Sequence, residues 1–155
     1  MKVITRFFGC ALLLICLYAC GEDEGLDLDG SEISISDIAG SWNATRAEFD
    51  IAGSGASVAI DVVEQGGTVT LVIQSNGRFT LTITEMGEDP DISTGQMSFD
   101  EDLLVVEFDD SPGDDEFFSI QSTANTLSIS GPAEFDLDGD GTDDPARAEL
   151  DFERT

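Results

Sequence analysis

The residues best equipped for chemistry lie in one short run, Asp136-Leu137-Asp138-Gly139-Asp140-Gly141-Thr142-Asp143-Asp144. Calcium is a hard cation that takes six to eight oxygens, and acids at loop positions 1, 3 and 5 with glycine at 6 let a short loop wrap around it. Counted from Asp136, the carbonyl of Thr142 falls at position 7 and Asp144 at position 9. Position 12 is Arg147, so the carboxylate that would finish a tight site is missing. The expected ligands are Asp136, Asp138, Asp140, Thr142 and Asp144, with weak binding on the order of 10⁻⁴–10⁻³ M. Without a metal the same run is a Gly-rich acidic turn in solvent, and the sequence leaves both readings open.

A second reactive group is the Cys20 thiol. Lys2 and Arg6 precede an apolar run from Phe7 to Ala19, which is too short for a span of roughly 20 residues and reads as an export signal. Leu17-Tyr18-Ala19-Cys20 resembles the lipobox of bacterial lipoproteins. That resemblance implies a signal peptide over 1–19, cleavage before Cys20, a diacylglycerol on its thiol, an acyl chain such as palmitate on the new amine, and an outer-membrane location. Two acyl signals give a stable anchor where one chain does not. Glu22, Asp23 and Glu24 are similar to the acidic cluster that directs some lipoproteins to the cell surface; an ordinary charged spacer fits them equally, so the periplasmic and outer faces both stay open.

Cleavage there would remove Lys2 and Arg6, two of six basic residues, and none of the 33 acids, taking the formal charge from −27 to −29. Such a surface repels phosphate backbones and anionic headgroups, which argues against nucleic-acid binding and against docking to membranes by charge. Cys10, Cys16 and Cys20 are the only cysteines, so no disulfide is available to the domain and its stability must come from an apolar core. Beyond Cys20 there is no His, Lys, Tyr or further thiol. The usual general bases and the Cys and Lys nucleophiles are therefore lacking, and no carboxylate pair is singled out by spacing. A non-enzymatic monomer is expected.

Residues 20–37 carry acids and no base, the composition of an extended, solvated tether. From Gly40 the chain changes to short alternating runs broken by Gly, Asn, Asp and Pro, the pattern of antiparallel strands. Thr68–Gln74 and Arg78–Glu85 read as a hairpin through Ser75-Asn76-Gly77. Further strands are expected near Trp42–Asp50, Val58–Glu64, Gly95–Phe99, Leu103–Phe108, Glu116–Gln121, Thr126–Ser130 and Arg147–Arg154. The acidic stretches around Glu88 and from Asp109 to Asp115 read as solvated turns. Hairpin-length connections favour a closed, all-β, up-and-down barrel of 8–9 strands over residues 38–155.

Gly40-Ser41-Trp42 resembles the Gly-x-Trp opening of lipocalin and lipocalin-like barrels, and Arg154 resembles the arginine that lies across that indole from the last strand. The resemblance implies closure of one barrel end by Gly40, Trp42 and Arg154. It further implies a small apolar ligand inside, between residues such as Phe79, Leu81, Leu104, Val106, Phe118 and Ile120. Those side chains could equally fill a small barrel. The rival expectation is then a calcium-stiffened structural or interaction module with no ligand.

Overall fold

The structure, a computed structural model, describes residues 28–29, 33–51, 59–136, 142 and 144–155. Its elements are β1 (Leu28–Asp29), α1 (Ile35–Ile38), β2 (Gly40–Ile51), β3 (Ala59–Asp61), β4 (Thr68–Ile73), β5 (Arg78–Thr84), β6 (Asp91–Asp100), β7 (Leu103–Phe108), β8 (Asp115–Ser122), β9 (Thr126–Phe135) and β10 (Asp144–Arg154). Strands β4 to β10 each pair antiparallel with the next, and β2 joins β4 on one side to β10 on the other. The result is a closed, eight-stranded, up-and-down antiparallel barrel. β3 continues the β4 side of β2, and β1 adds to the end of β8.

Alternation drives this closure. On β10, Ala148, Leu150 and Phe152 are buried while Glu149 and Asp151 face out, and β9 buries Leu127 and Ile129 in the same way. One side of every strand is thereby apolar, and wrapping the sheet on itself buries that side and leaves no free edge around the barrel. The Ser75-Asn76-Gly77 hairpin forms as its residues require: Gly77 has φ +86°, its amide bonds the Gln74 carbonyl at 2.9 Å, and the Gln74 amide bonds Arg78 at 2.8 Å.

Several strand limits differ from the sequence reading. The strand expected over Val58–Glu64 stops at Asp61, whose carboxylate accepts the amides of Val63 at 2.9 Å and Glu64 at 3.3 Å and so bends the chain into a turn. β9 runs past Ser130 to Phe135, through Pro132. Beyond Ser130 its ladder continues on the β10 side alone, an edge position where a missing amide hydrogen is tolerated. β6 begins at Asp91, ahead of Gly95.

The packed domain also reaches back before residue 38, into the stretch read as tether. Ile33 is 6% exposed and Ile38 fully buried, and β1 pairs with β8. A local cap makes this possible: the Ser34 amide donates to the Asp37 carboxylate at 2.9 Å, and the Asp37 amide to the Ser34 carbonyl at 3.0 Å. One helical turn then lays Ile38 across the barrel mouth.

Candidate functional site

That mouth is the best-defined constellation in the molecule. Trp42, on the first barrel strand, is fully buried and its Nε1 donates to the Ile38 carbonyl at 2.9 Å. The Arg154 guanidinium lies 4.1 Å from the indole centroid. Its three nitrogens donate to the carbonyls of Ala124 at 2.8 Å, Ala39 at 2.8 Å and Asp37 at 2.9 Å. One cation thus ties α1, the β8–β9 turn and the end of β10 to a single ring. Gly40 has φ +147°, and a Cβ there would stand 2.5 Å from Arg154 Nη1, so glycine meets both the backbone and the close approach. Gly40, Trp42 and Arg154 form a structural closure; no titratable nucleophile or base takes part in it.

Inside the barrel the space is small. A cavity of about 50 Å³ is lined wholly by apolar side chains, among them Phe79, Leu81, Leu104, Val106 and Phe118. Ile120, grouped with them from the sequence, is 5% exposed but does not line the cavity; it packs nearer the closed end. Two glycines explain the tightness. A Cβ on Gly131 would fall 2.3 Å from the Phe118 ring, and one on Gly95 would fall 2.7 Å from the Phe79 ring. Each phenyl ring therefore lies down on bare backbone and fills the interior.

On the outer wall a hollow of about 310 Å³ lies over β8, β9 and β10. It exists because Ser119, Ser128 and Ser130 are short, with Glu149, Asp151 and Arg46 standing beside them. Arg46 joins three acids, reaching Glu48 and Glu149 at 3.0 Å and Asp151 at 3.6 Å. Ser128 donates to Asp151 at 2.6 Å.

At the open end the stretch from Asp109 does more than solvate. Asp109 receives both guanidinium branches of Arg78, at 2.8 and 2.6 Å, and the Thr94 hydroxyl at 2.7 Å. These bonds hold its carboxyl down at about 2. Nothing at a separation of 31 residues advertised this pair in the sequence. Glu116, nearby, is pushed the other way by burial and by its neighbours Glu134 and Asp110.

The acidic run joins β9 to β10: Phe135 pairs with Asp144, so the connection is the hairpin loop between the last two strands. Asp144 opens β10, and both Asp136 and Thr142 have partners. Asp138 and Asp140 lie outside the described residues, as do Cys20 and the whole signal segment. Among the described residues no group of three or more His, Cys, Asp or Glu side chains is arranged to hold a metal, and no helix is long and apolar enough to cross a membrane.

The class these features define is a small, closed, up-and-down antiparallel barrel with a plugged end and a filled interior. No protein-family model matches the chain, and no curated protein is significantly similar to it.

Proposed function

We propose that the protein is a non-enzymatic lipoprotein, anchored through acylated Cys20, whose lipocalin-like barrel is a filled scaffold that acts through its outer surface. The observation that carries this reading is the interior volume. Pockets for small organic ligands measure roughly 300–1,000 Å³, whereas the cavity here is about 50 Å³. The apolar ligand implied by the lipocalin resemblance would need the Phe79 and Phe118 rings to swing off their glycines. The outer hollow and the acidic connections offer polar surface instead, and calcium in the Asp136–Asp144 hairpin would stiffen one of those connections.

Titration of the folded protein with N-phenyl-1-naphthylamine, a neutral apolar probe, tests this. No saturable rise in probe emission is expected. Saturable one-to-one binding at micromolar concentration, with a change in Trp42 emission, would restore the ligand-binding reading.

A further inference from the structure

The point at which the chain joins the barrel determines which end can lie near a bilayer. Leu28 pairs with Ser122 and Asp29 with Gln121, so β1 meets β8 at its last residues, beside the β8–β9 turn. This is the end plugged by Ile38, Trp42 and Arg154. Eight peptide steps separate Cys20 from Leu28, a reach of at most about 26–29 Å. β9 alone has 10 residues, about 33 Å along the strand and roughly 23–27 Å along the barrel axis at the usual tilt of about 35–45°. Turning the barrel over would therefore need the whole tether drawn taut along the wall, with its conformational freedom lost.

Charge differs between the strand connections of the two ends in the same sense, although β1 and α1 also bring Asp29 and Asp37 to the plugged end. The connections at the plugged end between β4 and β5, β6 and β7, and β8 and β9 contain two acids, Glu101 and Asp102, and the first and last of them are uncharged. At the opposite end the connections between β5 and β6, β7 and β8, and β9 and β10 contain ten acids and no base. Anionic headgroups repel that end once it comes within a Debye length, about 8 Å at physiological salt.

We infer that the barrel stands with its plugged Trp42–Arg154 end against the bilayer and its acid-rich connections pointing away from it. The inference rests on the proposed acylation of Cys20. The interacting surface on the membrane side is the pair of uncharged turns, Gln74–Gly77 and Thr123–Asn125, with the arginine behind them.

The test uses the full acylated chain, extracted from membranes and reconstituted in vesicles of phosphatidylethanolamine and phosphatidylglycerol that carry a nitroxide-labelled headgroup lipid. Ser75→Cys and Ser111→Cys, both at exposed turn positions at opposite ends, are each labelled with a fluorescent maleimide; the thioether at Cys20 does not react. Unchanged Trp42 emission shows that each variant is folded, and Asn125→Cys replaces Ser75→Cys if that variant is not. Nitroxide should quench the label at position 75 several-fold more than that at 111. Equal quenching, or stronger quenching at 111, overturns the orientation while leaving the anchor intact. Cys20→Ser protein that stays on the vesicles would instead remove the tether, and with it the acylation reading and the orientation together.

Discussion

The Arg154 guanidinium lies 4.1 Å from the centroid of the fully buried Trp42 ring, joining the last barrel strand to the first. An arginine over an indole contributes roughly 0.5–2 kcal/mol, and three carbonyls lose their donor when it is removed. Arg154→Ala should therefore cost about 2–3 kcal/mol, a drop in melting temperature of about 10 °C for a domain of this size. Trp42 emission should shift to the red as water reaches the ring. Gly40→Ala should move both readouts in the same direction, because its Cβ displaces the guanidinium. Solvent-like emission from the unaltered protein would contradict the closure.

Phe118 fills the interior by lying on Gly131. Phe118→Ala should cost about 3–5 kcal/mol and leave a wholly apolar void. The variant should then gain saturable binding, absent in the parent, of benzene, which an apolar void of about 150 Å³ can hold. A folded variant with no gain would show that the void collapses.

Asp109 and Glu116 give the stability profile opposite slopes. The Asp109 carboxyl is held down to about 2 by Arg78 and Thr94, from an ordinary value of 3.8. Its contribution is complete above about pH 4 and is lost as the pH falls through about 2. Glu116 is raised above its ordinary 4.5 by burial and by Glu134 and Asp110. The folded state thus takes up that proton first, and stability rises as the pH falls toward 4.5. Thermal melts from pH 7 to 2 should show the midpoint rise and then fall. Asp109→Asn should flatten the acid-side fall, and Glu116→Gln should flatten the rise and lift the pH 7 midpoint by a few degrees at most.

The β9–β10 connection and its flanks carry acids at 136, 138, 140 and 144 at the spacing of a calcium loop. Calcium that binds the folded loop raises stability by mass action. Millimolar calcium should raise the melting temperature more than sodium at matched ionic strength, which only screens. Replacing Asp138 and Asp140 by Asn should erase the calcium-specific part and, in calcium-free buffer, leave the variant at least as stable as the parent. Equal effects of the two salts would identify the loop as a plain acidic turn.

Cys20→Ser should move the protein from the membrane fraction to the soluble one. Retention of the variant with an uncleaved leader would identify residues 1–19 as a simple anchor.

The architecture was legible because its signals are local. Alternating burial on β5, β9 and β10, and turn residues such as Asn76-Gly77, act within a few positions. With hairpin-length connections they leave an up-and-down barrel as the natural way to bury one face of each strand. Gly40, Trp42 and Arg154 could be paired in advance only through a family resemblance, since no spacing rule links the first strand to the last. Other features depend on contacts between residues far apart in sequence, and these only the tertiary structure decided. The grip of Arg78 on Asp109, the three acids around Arg46 and the burial of Ile33 and Ile38 over the barrel mouth follow from strand register and closure. The interior volume is decided in the same way. Phe79 and Phe118 read as apolar lining in the sequence, but whether they line a pocket or fill it depends on the bare backbone opposite. Gly95 and Gly131 lie there because of how β5 registers against β6 and how the Phe118 ring crosses to β9.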